Sequence, residues 1–348
     1  MPPKTPQGPQ KRVRMRDVAE RCGVSISTVS LVLSGDPRIP EDTAKAVLQA
    51  VKALEYRPSV VARNLARRSS RTIAIILPEF AFSKNQPFYY QALAGIHAVT
   101  QAAGYKIVVE AANNSFLERR YYHRLLKEQS VDGVIYMAAE HKDVFLSEMS
   151  REPYPFLLMT NGVDGVSLAS AQFDDTFGAS LAVQHLAALG HTKIGYLAGM
   201  KEYSLGRDRE KGFRDGMKNA GLPVRDDWVV ETDLDPDKAM GATKKLAEAQ
   251  VTAIFACHDI LAYSAILALK QVGKKVPEDV AIVGMDDLSM SEWTSPALTS
   301  VHYDIFSLAG TSAKYIINRI QSPLIDKKVL SDMPKPEIVI RGSCGAKK

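Results

Sequence analysis

The feature that most constrains this chain is a rhythm that occurs twice. From Thr72 onward, short apolar runs alternate with longer stretches of helical spacing. TIAIILPEF (72–80), YKIVVEAAN (105–113), DGVIYMAA (132–139) and YPFLLMTN (154–161) form a first set; KIGYLAG (193–199), WVVET (228–232), TAIFACHD (252–259) and VAIVGMDD (280–287) form a second. Buried-type strands separated by roughly 15–20 helical residues are joined by helical crossovers, which makes their sheets parallel. Two sets predict two similar α/β subdomains within residues 72–344. Ligands of open parallel sheets bind beyond the carboxyl ends of the strands. Here those ends carry Asn161, His258 with Asp259, and Asp286 with Asp287. Such residues also cap helices, and at this stage both readings stand.

The chain before Thr72 has a different character. Residues 1–71 hold 14 Lys/Arg against 6 Asp/Glu, a net charge of +8, while the remainder carries −3. A basic head on a slightly acidic body is the electrostatic footprint of a nucleic-acid-binding module joined to something else. Residues 1–14 are rich in Pro, Gln, Lys and Arg and are expected to be a disordered basic tail. The opening MPPKTPQGPQKRVR lacks the apolar stretch of a secretory signal, and no apolar run reaches the ~18 residues of a membrane span, so a cytoplasmic location is expected. The three cysteines, Cys22, Cys257 and Cys344, are widely separated, which argues against structural zinc or a disulfide framework.

The segment MRDVAERCGVSISTVSLVLSG (15–35) carries the most information in the head. Asp17 is placed to cap a first helix with Ala19 on its inner face. Gly23 falls at a turn that needs positive φ, and Ser25 caps a second helix. The spacing of Ala19, Gly23 and Val29 is that of a helix-turn-helix, the small alanine letting the helices cross closely. Val24, Val29 and Val32 face inward, leaving Ser25, Ser27, Thr28 and Ser30 on a polar side where hydroxyls reach phosphates and base edges. A third helix is expected over 41–56, with Val47, Leu48, Val51 and Leu54 at helical spacing. The reading is a helix-turn-helix domain over 15–58, then a hinge and linker over 59–71.

DVAERCGVSISTVSLVLSG followed by YRPSVVARNL (56–65) resembles the DNA-binding head of the LacI/GalR family of transcription regulators. The resemblance extends through FDDTFGASLAVQHLAALGHTKIGYLAG (173–199), RDREKGF (207–213), TAIFACHDILAYSAILAL (252–269), VPEDVAIVGMDD (276–287), ALTSVHYD (297–304) and IVIRGSC (338–344), in the family's order. It implies a small all-α helix-turn-helix head on a two-subdomain, periplasmic-binding-protein-like α/β body. It further implies that Ile26, Ser27 and Leu31 face bases in the major groove while Ser25, Thr28 and Ser30 hold phosphates. Leu31 stands where the family often has Arg or another polar residue. Leucine can make only apolar contacts there, for example with a thymine methyl. SVVARNLA (59–66) resembles a hinge helix that enters the minor groove as a pair: Ser59 caps it, Ala62 lets two copies meet, Arg63 reaches a phosphate, and Leu65 wedges into the central base step.

For the body, the resemblance implies a small-molecule effector between the subdomains, most commonly a sugar. It is held by Arg209, whose rigid fork of donors suits a hydroxyl pair or a carboxylate, by Asp286, and by the aromatic pair Phe88 and Tyr89. His258 stands where the family often has Asn, and Leu234 where it often has an aromatic. Arg209 has an alternative use in pairing with Asp208, Glu210 or another acid, and Phe88 in the core. The body holds no GxGxxG, P-loop, HExxH or GxSxG motif and no histidines at metal-ligand spacing. An enzyme is therefore not expected, nor a metal or cofactor. The combined expectation is a homodimeric repressor that binds a palindromic double-stranded operator and answers to an effector. After EIVIRGS only Cys344 to Lys348 remain, so a coiled-coil tetramer is not indicated. The alternatives are a soluble solute receptor, or an enzyme, on the same body without specific DNA binding.

Overall fold

The computed structural model describes residues 13–56, 69–82, 86–137, 139–140, 143, 145–322, 329–330 and 334–346. Internal contacts divide the chain into one unit up to Ser69 and a second from Ser70.

The head is three helices: α1 (Met15–Cys22), α2 (Ile26–Ser34) and α3 (Glu41–Ala53). Their shared core is Val18, Ala19, Val29, Val32, Val47, Ala50 and Tyr56. Gly23 ends α1 at φ 65° and turns the chain into α2, a conformation in which a Cβ would be strained. The Ser25 Oγ accepts the Thr28 amide at 3.0 Å and caps α2 as the sequence predicts. Two expectations are corrected. Asp17 is not the cap of α1 but lies three residues in, where its carboxylate accepts the Arg14 amide at 2.7 Å. Leu48 is 53% exposed, because Val47, Ala50, Val51 and Leu54 already form the i, i+3, i+4, i+7 stripe that faces α1 and α2. Val24, in the turn, is half-buried and packs against this core, as expected.

The body has two six-stranded sheets of matching design. β1 (Thr72–Pro78), β2 (Lys106–Ala112), β3 (Gly133–Met137), β4 (Phe156–Met159), β5 (Ala169–Ala171) and β11 (Val329–Leu330) form the first, in the order β11-β5-β4-β3-β1-β2. β6 (Ile194–Ala198), β7 (Val229–Glu231), β8 (Ala253–Ala256), β9 (Ala281–Asp286), β10 (Thr299–His302) and β12 (Glu337–Val339) form the second, in the order β12-β10-β9-β8-β6-β7. Every pairing is parallel except β10 with β12. The eight predicted strands are all present, each shorter than the apolar run that predicted it. The short β5 is fully buried but has too few residues to show a periodicity.

Helices α4 (Pro87–Ala102), α5 (Asn114–Glu118), α6 (Tyr121–Lys127) and α7 (Leu146–Met149) follow strands of the first sheet. The chain crosses to the second subdomain between β5 and α8 (Asp175–Ala188), continuing through α9 (Ser204–Asn219), α10 (Pro236–Glu248) and α11 (Asp259–Gln271). It returns after β10 through α12 (Ile305–Gln321), which packs on α4, and crosses again between β11 and β12. α8 and α9 lie in close contact, which a glycine permits: a Cβ on Gly212 would stand 2.2 Å from the Thr176 carbonyl oxygen. That approach sets Arg209, one turn earlier on α9, beside the first turn of α8. No described helix is long and apolar enough to cross a membrane.

Candidate functional site

Two surfaces concentrate the candidate residues. On the head, α2 presents Ser25, Ile26 and Ser27 outward, with Ile26 49% exposed, while Thr28, Ser30 and Leu31 are half-buried along the same helix. Ser25 and Thr28 are coupled to each other, their hydroxyl oxygens 2.9 Å apart. The first amides of a helix lack intrahelical partners and carry a partial positive charge, so this end of α2 suits a phosphate. Ser59, Ala62, Arg63 and Leu65 lie outside the described residues.

Within the body, Phe88, Tyr89, Arg209, His258 and Asp286 line one cavity between the two sheets. The parallel topology explains the convergence. Phe80, Phe88 and Tyr89 follow β1, Thr160 follows β4, Arg209 lies on the helix after β6, Leu234 follows β7, His258 follows β8, and Asp286 ends β9. All are beyond the carboxyl ends of strands. Backbone strain gathers at the same rim: Thr160 (φ 76°), Met200 (φ 63°), Leu234 (φ 59°) and Asp286 (φ 110°) all line the cavity in conformations that side-chain-bearing residues avoid.

Arg209 is the hub. It is 4% exposed, and its Nε donates to Asp175 Oδ1 at 2.7 Å. Its Nη1 donates to the Cys257 carbonyl and stands 2.9 Å from His258 Nδ1. Its Nη2 lies 3.1 Å from Asp286 Oδ1, an ion pair outside hydrogen-bond geometry. The alternative pairing with Asp208 or Glu210 is therefore not the one found. His258 Nδ1 also lies 2.9 Å from Asp286 Oδ2. Behind the guanidinium, Tyr303 donates to Asp175 Oδ1 at 3.2 Å and stacks on Phe173 with ring centroids 4.4 Å apart.

The charges adjust to this enclosure. Burial opposes the ionised form of Asp286, yet Arg209 and His258 outweigh it and hold the carboxyl below its usual range. Burial pushes Asp175 up to about 6, with Arg209 pulling back. Burial, followed by the Arg209 charge, lowers His258 and keeps the imidazole neutral near pH 7. Asp259, fully buried just behind, is pushed up to about 8 by burial and by Asp286, even though it accepts from the Leu288 amide and the Ser291 and Ser300 hydroxyls.

The strand-end residues thus resolve differently. His258 occupies the cap position of α11 without a side-chain cap bond, and the carboxylate of Asp259 serves the next loop and β10. Asp287 pairs with Arg341 at 2.6 Å and His302 at 3.0 Å instead of entering the cavity. Asn161 is buried and donates to the Ala139 carbonyl at 2.6 Å, also outside the lining. Sequence reasoning missed Asp175, Gln86 and Thr160. A signal for Asp175 existed in the doubled aspartate of FDDTFG: Asp174 accepts the Phe177 amide and caps α8, which turns its neighbour inward.

Contacts across the cleft hold the subdomains together at the start of α9. Tyr203 donates to Glu140 at 3.3 Å and meets Phe80 edge-on, and Arg207 pairs with Asp164 at 3.1 Å. In this closed arrangement the cavity measures about 40 Å³, room for a few waters.

A helix-turn-helix head followed by two parallel sheets with a lined cleft defines a DNA-binding regulator with a ligand-binding body. Residues 14–59 match the family described as bacterial regulatory proteins, lacI family, and residues 183–344 match the periplasmic binding protein-like domain. The chain is 31% identical over 332 residues to the HTH-type transcriptional repressor PurR of Photobacterium profundum, an alignment covering 94% of this chain and 98% of the relative. Among solved structures, the lac repressor dimer bound to operator and the anti-inducer ONPF is similar with a TM-score of 0.83 and 28% identity, covering 97% of this chain and 100% of that one. The transcriptional regulator CelR–cellobiose complex is similar with a TM-score of 0.72 and 27% identity, covering 95% and 100%. The chain belongs to the lacI family of bacterial regulatory proteins.

Proposed function

We propose that this protein is a homodimeric repressor that binds a palindromic operator and is controlled by a small molecule held between the subdomains of its body. The observation that carries the reading is the buried cluster of Arg209, Asp175, Asp286 and His258, assembled from four separate segments at the strand ends. A cluster of this kind responds to anything that moves the segments, and it lies in the cleft whose closure the Tyr203 and Arg207 contacts govern. An effector that favours one cleft arrangement shifts the population, and through the segment joining body to head it changes operator affinity.

In this reading Ile26, Ser27 and Leu31 contact base edges while Ser25, Thr28 and Ser30 hold phosphates. Ser59, Ala62, Arg63 and Leu65 form the paired minor-groove element, and the effector meets Phe88, Tyr89, Arg209, His258 and Asp286. Two heads on one palindrome supply the affinity that one small head lacks. A dimer is further supported by Trp293, 85% exposed, and Met290, 55% exposed, which share one turn of the body and form an apolar surface a second copy would cover. A dimer seated on DNA represses by blocking polymerase, and the work is done inside the cell. Deleting residues 1–71 tests the assignment. Sequence-specific DNA binding disappears while the body remains folded; specific binding that survives the deletion contradicts the role given to the head.

A further inference from the structure

Helix α2 reads ISTVSLVLS and holds no Arg, Lys, Asn, Gln, Asp, Glu or His. Hydrogen bonds tell base pairs apart chiefly through forks, a guanidinium or amide meeting two groups of one base edge at once. A serine hydroxyl both donates and accepts and turns to suit, so by itself it selects no base. The first guanidinium after α2, that of Arg38, closes its fork on Asp36, with Nε 3.0 Å from Oδ1 and Nη2 2.7 Å from Oδ2. The net charge of +8 over residues 1–71 attracts phosphates whatever the sequence. None of these groups gives α2 a means of reading bases by hydrogen bonding.

Two apolar residues of α2 are left over. Val29 and Val32 belong to the core of the head and Leu33 packs against it, whereas Ile26 and Leu31 are outside that cluster. Ile26 is 49% exposed and Leu31 is half-buried. At about 100° per residue, the two border an arc of about 140° on the side away from Val29 and Val32, with Ser27, Ser30 and Ser34 between them. The second helix of a helix-turn-helix lies in the major groove with such a face toward the bases. The one apolar group that a base pair presents in that groove is the C5-methyl of thymine.

We propose, resting on the reading of α2 as the recognition helix, that Ile26 and Leu31 read the 5-methyl groups of two thymines in each half-site. α2 then selects its half-site by the positions of methyl groups and requires no guanine. Burying one methyl is worth about fourfold in affinity, so the pair in one half-site gives about fifteenfold.

The test uses full-length protein and a duplex recovered by selection from a random-sequence pool. Each half-site thymine is replaced in turn by uracil, 5-methylcytosine or cytosine, each opposite its complement, and affinity is read by fluorescence anisotropy at fixed salt. Uracil keeps the hydrogen-bonding edge of thymine without the methyl; 5-methylcytosine keeps the methyl on a different edge. At two positions of each half-site, uracil weakens binding about fourfold per substitution, and cytosine gains about fourfold from its 5-methyl. Leu31→Ala abolishes the methyl effect at one of these positions and Ile26→Ala at the other; the wild-type series decides the matter if either variant does not fold. Uracil binding as tightly as thymine throughout the half-site, or 5-methylcytosine binding no better than cytosine, overturns the proposal. The recognition-helix reading fails separately, if no motif is recovered or if Ile26→Ala and Leu31→Ala both leave the recovered motif unchanged.

Discussion

Replacing Arg209 by methionine isolates the charge at the centre of the body, because methionine preserves much of the aliphatic stem. The side chain is 4% exposed and stands between Asp175 at 2.7 Å and Asp286 at 3.1 Å. Removing it leaves two buried carboxylates facing each other, supported only by Tyr303 on one and His258 on the other. Breaking a buried ion pair by deleting one partner costs about 3–5 kcal/mol, a large share of the ~5–15 kcal/mol that folded proteins hold. The loss depends on pH with a definite sign. In the wild type Arg209 holds Asp286 below its usual range, and that contribution is present above the unfolded pKa. Without Arg209 both carboxyls rise above their unfolded values, and such groups contribute stability at low pH that is lost as pH rises. The deficit is therefore largest near pH 8 and falls by about 1.4 kcal/mol per unit for each carboxyl that takes up a proton, to less than half its value at pH 5. Urea unfolding followed by tryptophan fluorescence measures it, since both tryptophans, Trp228 and Trp293, belong to the body. A deficit below about 1 kcal/mol at pH 8, or one independent of pH, refutes the reasoning about a buried two-carboxylate clamp.

Other consequences follow from the same geometry. Asp259 is pushed up to about 8, so its stabilising contribution is complete below its unfolded pKa of 3.8 and is lost as pH rises through 8. Asp259→Asn, whose amide can serve the same three partners, removes about 2 kcal/mol of the decline in stability between pH 6 and pH 8; parallel stability–pH curves for variant and wild type contradict this. Arg207→Ala removes a partly exposed cleft contact worth about 0.2–1 kcal/mol and raises the effector's dissociation rate by a small factor, about fivefold at most, read by stopped-flow fluorescence. Leu65→Ala weakens operator binding and reduces DNA bending; an unchanged bend angle in a gel or fluorescence assay counts against a wedge at that position.

Much of the body was legible because parallel strands are short, apolar and punctuated, and because topology alone sends every strand end to one place. The strand ends alone offered His258 and Asp286; Phe88, Tyr89 and Arg209 came from the family resemblance, and all five line one cavity. What periodicity does not carry is pairing. Nothing in RDREKGF says that Arg209 reaches back to Asp175 instead of its neighbours Asp208 and Glu210; that follows from Gly212 letting α9 approach α8. Asp286 and Asp287 look alike in sequence, and a φ of 110° at the first sends one inward and the other to Arg341. The misplacement of Leu48 has a simpler origin: the core-facing stripe of α3 is centred on Val47, Ala50, Val51 and Leu54, and Leu48 falls outside it, which the run of apolar residues did not by itself reveal.

The central claim is that the head reads a specific DNA sequence. Selection of genomic fragments by the purified full-length protein, followed by sequencing, tests it most directly. A short palindromic motif, recovered reproducibly and retained as salt is raised, is the expected result. Binding that is sensitive to salt and shows no motif would mean that the basic head holds phosphates without reading bases, and would contradict the account.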